Sequence, residues 1–433
     1  MKIKLKYGFR GLNVNLPETP GFVGVLEPEK APVLRNPRAS IGKMLREPIG
    51  SLPLSEIAAG RKTACIVVSD ITRPVPNATL LPPILKVLEE AGIAREKVLL
   101  LIATGTHRPN EGAEAVHLLG EEIVRDYRVV NHFCKREADM AFVGKIGDGV
   151  PVYVNRQYLD ADLKILTGFI EPHMWAGFSG GRKAILPGIS SIETVKYMHG
   201  PEMVAHGKVA YGVLEGNPFH EAALEIMNRT GADFMVNVTL SLSKKITGIF
   251  AGHPVEAHRR GCEFLAAQCI RTLDEPLDFI VTTNAGAPAD CNLYQTVKSM
   301  VAATPGLKTG GIVLTASACY EGVGNPECEE VFNMVDTPAR FLQRLMDKEF
   351  FIPDQWCAQE VYQVMRRNPT WIYTDGVPRE KLERYHFRCV ESVEKGVAEL
   401  LARFGEKRAR WAVVPDGPML ILRTRGSATY GHK

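Results

Sequence analysis

The sequence predicts an α/β protein of two α/β domains with mostly parallel sheets and an active site in the crevice between them. Three observations predict it. Short apolar runs at Thr63–Ser69, Val98–Ala103 and Leu163–Phe169 alternate with helical stretches, the rhythm of strand–loop–helix units feeding a parallel sheet. A polar stretch, RTLDEPLD, follows at 271–278, and then a second set of apolar runs begins: Phe279–Thr283, Gly311–Ser317, Trp371–Thr374 and Trp411–Val414. The strands of the first set run directly into loops rich in Asp, Arg, His and Lys. These features divide the chain into a first domain, 1–272, and a second, 273–433, its final segment returning to the first.

Each element has a local reason. The opening KIKLKYG and LNVNLP alternate like the two arms of a hairpin. Thr63–Ser69 is β-branched and ends in Asp70-Ile71-Thr72-Arg73-Pro74; a helix follows over Asn77–Ala91, closed by Gly92. Val98–Ala103 ends in Thr104-Gly105-Thr106-His107-Arg108-Pro109, and a hairpin turns at Gly147-Asp148-Gly149. Leu163–Phe169 is the third strand, and Pro172 prevents it from continuing as a ladder. Ligands of open parallel sheets gather at the carboxyl ends of strands, so Asp70, Arg73, His107 and His173 are expected to line one crevice.

The stretch from Thr167 to Gly200 is the densest in chemistry. Gly177, Gly180 and Gly181 let backbone N–H groups converge on an anion, with Ser179 between them and Lys183 at the end. This is not a Walker A loop, since Gly-x-x-x-x-Gly-Lys-Ser/Thr is absent. Ser190 is placed as a helix N-cap with Glu193 as capping-box partner, and Gly200 as the closing residue, which sets His199 on the last helical turn. Asn217-Pro218 opens a further helix, and Phe234–Phe250 reads as a hairpin. In the second domain a helix carries Tyr294, Gln295 and Lys298, the last two sharing a face. Asp354-Gln355-Trp356 approaches another helix, and Glu391–Arg410 reads as a solvated helix face that packs the second domain on the first. The tail after Gly426 is expected to be loose.

Composition bounds the function. The chain has 433 residues, 45% hydrophobic and 23% charged, with a net charge of +3, which offers no reason for a nucleic-acid partner. No apolar run approaches the ~20 residues of a membrane span, and no signal peptide is recognised. The nine cysteines form no Cys-x-x-Cys pair, as expected of reduced thiols in a cytoplasmic protein. Two histidines from different loops could be a pair of bases on opposite faces of one carbon, or two ligands of one metal. Nearby Arg and Lys fit an anion such as a carboxylate. The remaining histidines, including His132, His206, His220, His258 and His432, are assigned structural or surface positions.

At this point the motifs become specific. The segments Ser69–Pro74, Ala103–Pro109, Glu171-Pro172-His173 with Gly177-Phe178-Ser179-Gly180-Gly181-Arg182-Lys183, and Met198-His199-Gly200 resemble the nickel-dependent lactate racemase family. Tyr294-Gln295-x-x-Lys298 and Asp354-Gln355-Trp356 match in order, so the resemblance covers essentially the whole chain. It implies an isomerase, a racemase or epimerase of 2-hydroxy acids that works by reversible hydride transfer. The cofactor it implies is a nickel-pincer nucleotide: a pyridinium-3,5-bisthiocarboxylic acid mononucleotide holding nickel, attached covalently to Lys183. His199 would ligate the nickel. Asp70, Thr72, Ser179 and Gly180 would hold ribose and phosphate, and Trp356 would wall the pocket beside the cofactor. His107 and His173 would be the catalytic acid/base pair, and Arg73, Tyr294, Gln295 and Lys298 would bind the substrate.

Met174-Trp175 departs from the family pattern after His173, so lactate is only one candidate beside malate-like, aromatic and sugar acids. Proteins of cofactor biosynthesis are implied partners, and a homo-oligomer is left open. Two other readings are a non-catalytic carrier of nickel or cofactor, which would need Lys183 and His199 alone, and an NAD-type oxidoreductase, for which the Gly-x-Gly-x-x-Gly fingerprint is missing.

Overall fold

Two six-stranded sheets organise the protein. The structure, a computed structural model, describes residues 1–426 apart from Asp148 and Lys348. The tail after Gly426, His432 and the central residue of the Gly147–Gly149 turn therefore lie outside the described residues.

The first sheet runs, edge to edge, Ile246–Gly252, Phe234–Leu240, Leu163–Phe169, Ala64–Ser69, Val98–Ala103 and Arg128–Asn131. All neighbours are parallel except the first pair, which is the expected hairpin. Alternate residues of one strand feed opposite faces. Cys65 and Val67 enter one apolar core, while Ala64, Ile66 and Val68 enter another. A parallel sheet covered on both faces needs such a continuous apolar run rather than a polar alternation.

The second sheet is parallel throughout, in the order Arg388–Cys389, Thr370–Tyr373, Leu307–Ala316, Leu277–Thr283, Trp411–Val414 and Phe22–Val25. Its edge strand comes from the N-terminus, a stretch the sequence assigns to the first domain. The hairpin of Lys2–Leu5 and Leu12–Asn15 accompanies it, burying Leu5, Val14 and Leu16 in the core of the second sheet. Local periodicity marks the hairpin but not Phe22–Val25, and it carries nothing about which sheet either joins.

The two halves are tied together. Ile270–Leu273 pairs with Ile421–Thr424, and Ile421 enters the core of the first sheet. The helix Val393–Phe404, capped by Ser392, buries Val393, Val397, Leu400 and Leu401 with Trp411 and Phe279. It covers its own sheet rather than bridging to the first domain, because its apolar face, not its charged one, chose the partner. All nine cysteines are unpaired. Among the described residues no helix is long and apolar enough to cross a membrane.

Candidate active site

Chain order in the first sheet reverses between Ala64–Ser69 and Leu163–Phe169, which are hydrogen-bonded neighbours. At such a switch point the loops leaving the two strands diverge and leave a crevice. Asp70–Arg73 leaves one strand and Ile170–Lys183 the other, while His107 follows the adjacent strand.

Asp70 is buried and holds two neighbours. Thr72 donates to its Oδ1 at 2.6 Å, and His107 Nδ1 lies 2.6 Å from its Oδ2. Burial alone would raise the Asp70 carboxyl, but the bonds from His107 and Thr72 and the charge of Arg73 outweigh it and hold it below the usual carboxylate range. A carboxylate at Nδ1 keeps the proton there and turns Nε2 of His107 into a base. The sequence placed Asp70 and Thr72 on a ribose; here the Thr72 hydroxyl is bonded to Asp70, and Asp70 to His107. Asn110 Oδ1 accepts from Ile71 N at 3.0 Å and joins the two loops.

His173 is prepared differently. The short antiparallel pair Pro172–His173 with Gly177–Phe178 folds the loop back so that Trp175 N and Ala176 N donate to His173 Nδ1, at 3.1 and 3.3 Å. Nδ1 is therefore an acceptor, and the neutral ring carries its proton on Nε2. Burial first, then the positive charges of Lys183, Arg73, Lys298 and Arg182, push its pKa well below the histidine range. The ring stays neutral at physiological pH.

The glycine-rich turn is built to close tolerances. Gly177 has φ +72°, and a Cβ there would stand 2.2 Å from the Val213 carbonyl oxygen; one at Gly180 would stand 2.4 Å from Asn237 Oδ1. Asn237 Oδ1 accepts from Gly181 N at 2.8 Å. That N–H is thus spent on the neighbouring strand rather than offered to an anion, as the sequence suggested. Ser179 Oγ is likewise spent within the loop, donating to Phe169 O and accepting from Glu171 N, both at 2.9 Å. Arg182, fully buried, donates to Gly180 O at 3.1 Å and Ala176 O at 2.7 Å, with His258 Nε2 at 2.8 Å.

Lys183 follows, its ammonium 5.0 Å above the centre of the Phe219 ring. Among the described residues it makes no ion pair. Burial first, then Arg182, Arg73 and Lys298, against a smaller pull from Glu171, drive its pKa well below the lysine range. The next helix starts one residue later than expected. Ser191 is the N-cap of Ile192–Met198, while Ser190 Oγ donates to Ile185 O at 2.8 Å. Gly200 has an ordinary negative φ and opens the helix Pro201–Ala205 instead of closing the previous one. His199 is the C-cap. Its Nδ1 donates to Val195 O at 2.8 Å, and burial lowers its pKa to about 4. Its ring meets Trp175 edge-on at 4.7 Å and Trp356 at 5.1 Å.

The second domain supplies the opposite wall. Asn292 caps the helix Leu293–Ala303, on which Lys298 Nζ donates to Gln295 Oε1 at 2.5 Å. Burial first, then Arg73, brings Lys298 down to about 8. Trp356 Nε1 donates to Tyr294 OH at 3.1 Å, and Tyr211 of the first domain donates to the Lys298 carbonyl at 3.4 Å. Arg73 lies 4.0 Å from Glu171. Asp354, at φ +63°, starts the helix Gln355–Arg367. Sequence reasoning quoted Glu171 and Asp354 within motifs without giving them a role, and it missed Phe219 and Glu360, near which the Asn217-Pro218 cap and the Asp354-Gln355-Trp356 motif were the local signals. His132 and His258 are buried and hydrogen-bonded to Ser190 O and Ser179 O, in keeping with structural positions.

The donor set suits one kind of metal site. Among the described residues no group of three or more His, Cys, Asp or Glu could hold a metal ion. A metal here would take one ligand, His199 Nε2, from the chain and the rest from an organic group. The Val195 carbonyl fixes the tautomer that leaves Nε2 for it. Lys183, half-buried among cations, is suited to an attachment that removes its charge.

Comparisons with known proteins agree over the whole length. Residues 7–212 match the family model of the lactate racemase N-terminal domain, and residues 273–422 that of the C-terminal domain. The chain is 31% identical to a lactate racemase of Thermoanaerobacterium thermosaccharolyticum over 98% of this chain and 99% of that one. It is 34% identical to a lactate racemase of Lactiplantibacillus plantarum, over 89% and 90% of the two chains. The structure of the T. thermosaccharolyticum lactate racemase apoprotein superposes with a TM-score of 0.91, covering 98% of this chain and all of that one. A Thermotoga maritima protein at 20% identity shares the fold, with a TM-score of 0.67 over 92% of this chain and all of that one.

Proposed function

The chain belongs to the lactate racemase family and is an isomerase, and from that premise we propose that it inverts C2 of a 2-hydroxy acid, with a nickel-pincer nucleotide on Lys183 and His199. The observation that carries this reading is the convergence of two differently prepared histidines, Arg73, Lys298 and the half-buried Lys183 on one crevice. When bound, the nucleotide supplies the acceptor that takes hydride from C2 and returns it.

The chain's own residues do the rest. Arg73 and Lys298 hold the substrate carboxylate by charge-assisted hydrogen bonds, and Gln295, bonded to Lys298, orients it. Trp356 and Tyr294 keep water from the second-domain side. His107 Nε2 takes the hydroxyl proton on one side, Asp70 stabilising the imidazolium. His173 presents Nε2–H to the oxygen on the other side. Arg73, Lys298 and Arg182, which keep their charge when Lys183 carries the nucleotide, disfavour the His173 imidazolium and stabilise negative charge on its ring, so a neutral imidazole can act there as the acid; proton exchange with solvent then restores both histidines.

The test is a chiral assay of cofactor-loaded protein, loading verified by intact mass on Lys183, against lactate, malate, 2-hydroxyglutarate, phenyllactate and gluconate. Interconversion of one acid, abolished in Lys183→Ala and in both His107→Ala and His173→Ala, is the expected result. Near-wild-type activity of either histidine variant would sink the two-histidine scheme. Lactate is the first acid to try, since both curated relatives carry its name.

A further inference from the structure

Helix Gln355–Arg367 reaches across the crevice with three side chains on one stripe, Trp356, Gln359 and Glu360, spaced i, i+3, i+4. Trp356 stands by the His199 ring, Gln359 Nε2 donates to Pro201 O at 2.8 Å, and Glu360 accepts the indole N–H of Trp175. Glu360 is only 4% exposed. A buried carboxyl is costly where an apolar side chain of similar size would pack, so its bond to Trp175 needs a reason.

Trp175 supplies one. Its ring stands edge-on to His199 at 4.7 Å, and its backbone N–H donates to His173 Nδ1 at 3.1 Å. Its carbonyl accepts from Asn217 Nδ2 at 2.7 Å. The backbone is thus fixed by the first domain, while the ring is fixed from the second. We propose that Glu360 is a positioning residue that acts through the Trp175 indole to set the ring neighbour of His199. Its effect on rate rests on the racemase reading; its effect on the His199 imidazole does not.

The experiment uses the full-length protein in two states. In the apoprotein, the Trp175 indole N–H signal, assigned by its loss in Trp175→Phe, and the His173 and His199 ring signals are followed by NMR. Glu360→Met should speed exchange of that indole proton and displace the His199 signals, leaving His173, which backbone N–H groups hold, nearly in place; Glu360→Gln, which keeps an acceptor oxygen, should restore them. If Glu360→Met does not fold, Glu360→Ala is read the same way. In loaded enzyme Glu360→Met should lower kcat about tenfold or more with KM changed less than about threefold, and Glu360→Gln should recover most of it. His199 signals unmoved in Glu360→Met, or a Glu360→Gln variant as impaired as Glu360→Met, overturns the proposal. His199 signals displaced by Glu360→Met, beside a loaded wild-type protein that interconverts none of the acids, would leave the positioning standing and refute the racemase reading. Unmoved signals beside an active wild-type enzyme would do the reverse.

Discussion

Replacing Asp70 by Asn tests the preparation of His107 directly. Asp70 Oδ2 lies 2.6 Å from His107 Nδ1 and Oδ1 accepts from Thr72 at 2.6 Å. Asn has nearly the same shape, so the loop is expected to keep its conformation. Its amide can face the imidazole in two ways, and both are unfavourable. With the oxygen toward His107, a charge-assisted bond becomes a neutral one. With the nitrogen toward it, the amide donates to Nδ1 and drives the proton to Nε2, where the base is needed. Hydrogen bonds to charged groups contribute about 1.5–3 kcal/mol, or about 10- to 150-fold in rate. His107 is 47% exposed, and solvent screening puts the expected loss toward the lower end of that range. The assay is chiral chromatography of the acid interconverted by loaded protein, read as kcat and KM separately. KM should change little, since Arg73 and Lys298 are untouched. A kcat within about threefold of wild type, or a loss that appears in KM alone, would refute the role given to Asp70.

Two further outcomes follow from the buried charges. Lys183→Met removes a half-buried amine beside Arg182, Arg73 and Lys298; the apoprotein should gain up to about 1 kcal/mol and melt higher, and an unchanged or lower Tm would contradict the cost assigned to that amine. His132 and His199 are lowered to about 4 and His220 to about 3, each by burial. Their folded pKa values lie below the unfolded value of about 6.5, so the unfolded chain binds more protons once pH falls below it. Stability is therefore lost as pH drops from about 6.5 through the folded pKa values. The urea midpoint of the apoprotein should be lower at about pH 5 than at about pH 7, and equal midpoints would count against it.

The sequence by itself determined the central strands and the Asn217 cap, because those depend on neighbours a few residues away. Leu163–Phe169, Val98–Ala103 and Trp411–Val414 have the expected bounds, since an apolar run between polar loops needs no partner to be recognised. Asn217 and Pro218 open their helix as read. The Ser190 cap missed by one residue because its hydroxyl had gone to Ile185 O, a contact that the turn creates and the local pattern does not contain. Tertiary structure alone decided the rest. The strand Phe22–Val25 joins a sheet whose next strand begins at Trp411. His107 finds its carboxylate 37 residues away, and Trp175 finds Glu360 across 185. Such pairs are made by chain closure over long separations, where periodicity has no reach. They also separate the two histidines chemically: a buried carboxylate stands behind one, and two backbone N–H groups stand behind the other.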